Sequence, residues 1–306
     1  MKIAIIGSGA LGLYYGAMLQ RSGHEVHFLL RRDYAAITCN GLTVHSVNGD
    51  FCLPVVSGHK TSATIGAVEL VIVGLKTFAN SHLKDLVTPL VAEDTLVLTL
   101  QNGLGNEELL AELFGAERIL GGVAFLCSNR GEPGHVHHLG GGRVTIGEYQ
   151  QRDSMQLAQI VTAFASAGIE CKATGNLKKA RWEKLVWNIP FNGLCALLQQ
   201  PVDRLLKVPG CRKLVRDLMI EVITAANTQG LSQAIPEGYA DEMLEFSDSM
   251  GEYKPSMQID REEGRELEIQ AILRVPLEYG RLHGIDMQRT EMLAVLLEQG
   301  FGAKPF

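Results

Sequence analysis

Two groups of residues in this 306-residue chain have the types and spacing to do chemistry. The first is Gly7-Ser8-Gly9-Ala10-Leu11-Gly12. Where such a glycine run joins a strand to a helix, it allows a tight turn, close approach of a pyrophosphate and close helix–strand packing, and free helix N–H groups face the phosphate. The second group is Lys184, Asn188 and Asn192, at i, i+4 and i+8. On a helix they line one side within about 12 Å. A lysine, ordinarily cationic at neutral pH, can protonate a developing alkoxide while amides fix the substrate, which is what carbonyl reduction needs. On spacing alone a solvent-facing polar stripe is the commoner arrangement. Pro190 cannot donate to the Val186 carbonyl, and a kink is expected between the two asparagines that turns both amides into a cleft.

The elements that position these residues follow from hydrophobic spacing. Lys2-Ile3-Ala4-Ile5-Ile6 is an apolar run suited to a central parallel strand. A helix over Ala10 to Arg21, a stop at Gly23 and a second strand from Glu25 to Leu30 complete one βαβ unit, the context the glycine run requires. The stretch from Ile3 to Gln20 has the outline of a signal peptide or membrane span, but glycines at 7, 9, 12 and 16 divide it, so strand, loop and helix fit it better. Leu70 to Val73 and Leu96 to Leu98 read as further strands separated by a helix from about Ser81 to Val91. Short β-prone runs between Leu120 and Gly147 read as hairpins closing the sheet. After Gly175 strand signals nearly vanish. Helical spacing covers Lys178 to Gln199, Arg212 to Thr228, Glu237 to Met250 and Arg265 to His283. The expected fold is α/β: a Rossmann-type doubly wound sheet over 1–175, followed by an all-helical domain over 176–306, in keeping with a length that suggests two domains.

The end of the second strand selects the cofactor. An acidic residue there would take the ribose 2′-hydroxyl of NAD, whereas arginine accommodates the 2′-phosphate of NADP. The chain has Leu29-Leu30-Arg31-Arg32 and no carboxylate until Asp33, so NADP is expected through Arg31 and Arg32, the competing reading being a solvated turn. Lys76 and Gln101-Asn102-Gly103 follow strands at the carboxyl ends where cofactors bind; a surface helix start and an ordinary turn are their other readings.

Other features exclude more than they propose. A net charge of −6 with no basic block argues against a nucleic-acid partner. Six cysteines without a C-x-x-C pair read as reduced core thiols, which favours a cytoplasmic protein; with the first apolar stretch divided by glycines, no membrane partner is expected. His135, His137 and His138 lie on a strand whose alternation splits them between faces, so no metal is expected. Met292, Val295, Leu296 and Gln299 read as core or as a subunit contact, the latter giving a homodimer.

Taken in order, the motifs resemble those of the ketopantoate reductase (2-dehydropantoate 2-reductase) family over nearly the whole chain. The segments are the Gly7 to Gly12 loop, Leu75-Lys76-Thr77, Gln101 to Glu107 and Pro133 to His138, then Trp182-Glu183-Lys184-Leu185-Val186-Trp187-Asn188, Ser256 to Asp260 and Gly264 to Ile269. The resemblance implies NADPH-dependent reduction of 2-dehydropantoate to pantoate, a step of pantothenate biosynthesis. Lys184 would be the general acid. Asn188 and Asn192 would bind substrate, Ser256 would hold its carboxylate, and Glu268 would orient the reacting groups. Asn102 would lie between cofactor and substrate, so that Asn102 and Glu268 also reach the cofactor. The family's Ile-Asp-x-Ile-Asn-Gly continuation is replaced after Glu268 by residues that include Gln270, Leu273 and Arg274, and Tyr253-Lys254-Pro255 precedes Ser256. These departures leave one alternative, reduction of another 2-keto acid or an imine; a second, of another class, is a catalytically silent NADP-binding sensor, against which intact Lys184 and Glu268 argue.

Overall fold

On the first strand, β1 (Lys2–Ile6), Ile3 and Ile5 face one core and Ala4 and Ile6 face another, and all four are fully buried. A strand covered on both faces has no polar side to show, which is why its sequence is a continuous apolar run. The structure, a computed structural model, describes residues 1–150 and 154–301. After β1 come α1 (Ala10–Arg21), β2 (Glu25–Leu29), α2 (Tyr34–Asn40), β3 (Leu42–Ser46), β4 (Phe51–Leu53), β5 (Ser57–His59) and β6 (Leu70–Val73). Then follow α3 (Leu83–Val87), β7 (Leu96–Thr99), α4 (Asn106–Phe114), β8 (Ile119–Arg130), β9 (His135–Glu148), α5 (Met155–Ser166) and β10 (Cys171–Ala173). Among the described residues these strands form one ten-stranded sheet in the order β4-β3-β9-β8-β7-β6-β1-β2-β5, with β10 beside β9. The strands from β8 through β5 run parallel, and β8 and β9 form a long antiparallel hairpin.

The first βαβ unit lies where the sequence pattern puts it. So does the hairpin, but as one long pair: the short runs between Leu120 and Gly147 are parts of two strands of 12 and 14 residues, which stay paired through irregularities near Phe125 and Cys127. The helix expected over Ser81 to Val91 is broken into 3₁₀ turns at Thr77–His82 and Thr88–Leu90 flanking the short α3, because Pro89 removes a donor from the last turn. Beyond the sheet the chain is helical: α6 (Leu177–Leu198), α7 (Val202–Leu206), α8 (Pro209–Asn227), α9 (Gly238–Asp248), α10 (Ser256–Glu262), α11 (Val275–Leu282) and α12 (Gln288–Phe301). No helix among the described residues is long and apolar enough to cross a membrane.

The cysteines are less uniform than a set of core thiols. Cys195 is buried, and burial pushes its thiol up to about 12, but Cys39 and Cys52 are exposed; none is in a disulfide. On α12, Met292, Val295 and Leu296 are exposed, so they are not core.

The chain divides into two compact units, residues 1–101 with 106–177 and residues 102–105 with 178–306. The segment Asn102–Gly105 is therefore embedded in the first unit by sequence yet packs with the helical one. The reason lies at Gln270–Arg274, which forms a π-helical turn leading into α11. There the Ala271 carbonyl accepts the Leu104 N–H at 3.1 Å, and Leu104 enters the helical core. Gly103 lies against the same carbonyl with φ +85°, and a Cβ there would overlap Ala271. Only glycine suits both the left-handed backbone and the close approach. Gly103→Ala is expected to lower stability by about 2 kcal/mol and to abolish hydrogen-exchange protection of the Leu104 amide; unchanged protection at Leu104 would show that the loop is not held this way.

Candidate functional site

In the sheet unit the phosphate loop is shaped by contact between main chains. Gly7, at φ +104°, lies so close to the peptide joining Gly74 to Leu75 that a Cβ would overlap it, and a Cβ on Gly12 would overlap the Gly7 carbonyl. Gly9 differs, because nothing lies within 4 Å of where its Cβ would stand. It caps α1 without a side-chain hydrogen bond, which leaves the N–H groups of Ala10, Leu11 and Gly12 without intrahelical acceptors beside that open space. A tight turn, an uncapped helix start and clearance at the middle glycine fit a pyrophosphate. The Ser8 hydroxyl donates to the Leu29 carbonyl at 2.8 Å and ties the loop to β2.

The two arginines after β2 have different situations. Arg32 donates to the Gly131 carbonyl at 3.1 Å and lies beside Asp33, so it braces the turn against the end of the hairpin. Arg31 is exposed and its side chain has no hydrogen-bond or ion-pair partner among the described residues. Asp33, the carboxylate that follows them, is 3% exposed and ion-paired with Arg130 of β8. It is thus neutralised by the protein's own cation.

At the carboxyl ends of β6 and β7, a chain of amides fixes the loop that carries Lys76. Thr99 donates to Gln101 (3.1 Å), Gln101 donates to the Leu75 carbonyl (3.0 Å) and to Asn80 (2.8 Å), and Asn80 donates to Asn106 (3.0 Å). Lys76, half-buried, precedes the 3₁₀ turn, its carbonyl accepting the Ala79 N–H. Asn80 is the member that sequence reasoning missed. It sits on a 3₁₀ turn with no helical period to mark it.

In the helical unit the polar row on α6 is not a solvent-facing stripe. Asn188 and Asn192 are each 2% exposed and Lys184 is half-buried. Trp182, Leu185, Val186, Ile189, Phe191 and Leu194 of the same helix are core residues, so α6 is covered nearly all round and its amides are not there for solubility. The Asn192 carbonyl oxygen accepts from the Met257 N–H (3.0 Å) and the Ser256 hydroxyl (3.2 Å) at the start of α10. At the other end of α10, Arg261 donates to the carbonyls of Ala196 and Leu197 near the end of α6. These ties hold Ser256 against the row and leave Asn192 only its amide nitrogen for a ligand. The Asn188 amide nitrogen is buried with no hydrogen-bond partner. A donor in that state costs about 1–3 kcal/mol until something accepts from it.

Glu268 is 3% exposed and begins the segment that leads to the π turn, its carbonyl accepting the Ile272 N–H. The helix expected from Arg265 starts only here. α10 stops at Glu262, and the Arg265 N–H turns back to the Asp260 carbonyl. The clamp on Ala271 therefore brings Asn102 to the segment that Glu268 begins. The sequence departures are absorbed by this unit's own packing: Leu273 is fully buried, Arg274 pairs with both carboxylate oxygens of Glu298 (Nε to Oε1, 2.7 Å), and Gln270 is exposed. Lys254 likewise pairs with Glu262 (2.8 Å), and the Tyr253 carbonyl accepts from Val202. The histidines of β9 have structural partners: His45 meets His135 at 3.1 Å and stacks on His137, while His138 is buried and bonds Ser46.

Comparison with known proteins gives this arrangement a family. The description "Ketopantoate reductase PanE/ApbA" matches residues 3–151, and its C-terminal counterpart matches 176–300. A 2-dehydropantoate 2-reductase from Nostoc is 42% identical over 95% of this chain and 92% of its own. Among solved structures, 2-dehydropantoate 2-reductase from Geobacter metallireducens is 66% identical, with TM-score 0.97 over 98% of this chain and all of its own (100%). The enzyme of that name from Methylococcus capsulatus is 29% identical, with TM-score 0.89 over 98% and 96% of the two chains. Two family matches that together span both units, and relatives aligned over nearly their full length, lead to one assignment: the chain belongs to the ketopantoate reductase family.

Proposed function

We propose that the chain reduces 2-dehydropantoate to pantoate with NADPH, Lys184 serving as the general acid. The observation that carries this reading is the Asn188 amide nitrogen, buried without an acceptor one helical turn from Lys184. A carbonyl or carboxylate oxygen of a small keto acid would satisfy it. A silent sensor would leave that penalty uncompensated, which is why the buried row favours an enzyme. The departures at Gln270, Leu273 and Arg274 no longer favour a different keto acid or an imine, because the buried leucine and the paired arginine answer to the protein's own packing.

The residues present fit the dinucleotide. Gly7 to Gly12 would receive the pyrophosphate, Arg31 the 2′-phosphate, and Lys76 and Asn102 would border the nicotinamide end. When bound, NADPH supplies the hydride that reduces the keto carbon. The chain's own residues do the rest. The Lys184 ammonium delivers a proton to the oxygen that becomes the hydroxyl and stabilises its developing charge. Asn188 donates to substrate oxygen, and the Asn192 side-chain nitrogen does the same while its Oδ1 keeps α10 in place. Ser256 can turn its hydroxyl from Asn192 toward a carboxylate. Glu268, buried in the same helical unit as this row, orients the reacting groups. A homodimer is part of the proposal, supported by the exposed stripe on α12. So is a cytoplasmic setting, supported by the lack of disulfides.

The test follows NADPH oxidation with 2-dehydropantoate and a panel of other 2-keto acids. The wild type is expected to prefer 2-dehydropantoate, and Lys184→Ala to keep NADPH binding while kcat falls by about 10² to 10⁴. Wild-type rates in the Lys184 variant would remove its role, and turnover of no keto acid at all would remove the enzyme. Asn188→Leu separates binding from folding: the free protein should become about 1 kcal/mol more stable and melt roughly 3 °C higher, while kcat/KM drops at least about tenfold. A destabilised variant with intact kcat/KM would contradict the assignment.

A further inference from the structure

The edge strand β5 runs parallel to β2 with Leu29 opposite His59, and the ladder continues one bond further, from the Leu30 N–H to the His59 carbonyl at 2.8 Å. Lys60 therefore leaves the sheet alongside Leu30 and Arg31, at the carboxyl edge where the ribose of a dinucleotide is received. Its ammonium is 4.7 Å over the ring of Tyr34. Tyr34 closes the turn after β2, its N–H donating to the Arg31 carbonyl at 3.2 Å. The cation–π contact thus holds a flexible arm above the same turn that presents Arg31.

Neither cation is neutralised. Lys60 and Arg31 are both exposed, and among the described residues neither side chain has a carboxylate partner. Other charges at this turn are occupied: Asp33 by Arg130, and Arg32 by the Gly131 carbonyl. In a chain with 34 acidic residues against 28 basic ones, two cations without carboxylate partners that the strand register brings to one edge of the sheet mark a place where an anion is expected from outside. A phosphate monoester carries between one and a half and two negative charges at neutral pH, more than one guanidinium offsets.

Building on the NADP reading above, we propose that Lys60 is a second ligand of the 2′-phosphate and, with Arg31, sets the preference for NADP over NAD. Arg31 supplies the planar fork and Lys60 the compact point charge, held over Tyr34. Arg32 is a brace that stiffens the turn.

Calorimetric titration of the full chain with 2′,5′-ADP and with 5′-ADP, which differs in lacking the 2′-phosphate, tests this without turnover. The wild type is expected to bind 2′,5′-ADP more tightly. Lys60→Gln should weaken 2′,5′-ADP about tenfold, leave 5′-ADP within twofold, and be rescued by Lys60→Arg; Arg31→Ala should lose at least as much. If Lys60→Gln bound 2′,5′-ADP like wild type while Arg31→Ala lost it, Lys60 would have no part and the NADP reading would stand. Equal loss of both ligands in Lys60→Gln would equally overturn its selective role. If the wild type did not distinguish the two ligands, the NADP reading would fail, and this inference with it.

Discussion

A Cβ on Gly12 would overlap the Gly7 carbonyl, and one on Gly7 would overlap the peptide between Gly74 and Leu75, whose neighbouring Gly74 N–H bonds the Ile6 carbonyl at 2.8 Å. The end of β1, the start of α1 and the end of β6 thus meet main chain to main chain. No side chain can be inserted there without separating them. The phosphate loop, the position of Lys76 beyond β6 and the amide chain from Gln101 through Asn80 to Asn106 all take their places from this contact. The clearance at Gly9 is its complement: the chain is tight where it touches itself and open where a ligand's oxygens would come.

The helical unit solves a different problem, that of keeping polar groups in a dry helix. It does so by giving most of them structural partners, while the Asn188 amide nitrogen stays buried without an acceptor. Asn192 and Arg261 tie α6 to α10 at both ends, and Trp187 donates to Ser247 at 3.0 Å. Asn188 stands apart from this arrangement. Core packing can hold such an amide only because its neighbours on α6 are large and apolar.

Elements with strong periodicity were legible from residue types alone. β1, α1 and β6 are bounded where their apolar runs and glycines place them, and α6 departs from its expected span by one residue at each end. The short strands β3 to β5 were not, because strands of three to five residues with mixed exposure carry no sustained alternation. The helical spacing over Arg265 to His283 hid a non-helical start and a π turn, since five-residue turns leave the same apolar residues in view. For the site, residue types named the candidates, but burial separated a solvent-facing stripe from a buried polar row, and burial is set by helices distant in sequence. Lys60 and Asn80 had no motif around them; only strand register and turn geometry bring them into consideration.

The Asp33–Arg130 ion pair carries a consequence for how cofactor preference can change during divergence. Asp33 is the first carboxylate beyond β2, and it is silent because a residue on β8 claims it. Loss of Arg130 would leave the Asp33 carboxylate with Arg32 alone, two residues from Arg31, without altering any residue of the turn after β2. On the NADP reading, discrimination between the two dinucleotides is then a property of charge distributed across two strands. A sequence inspected only at the glycine motif and the strand end that follows it would give no warning of the switch.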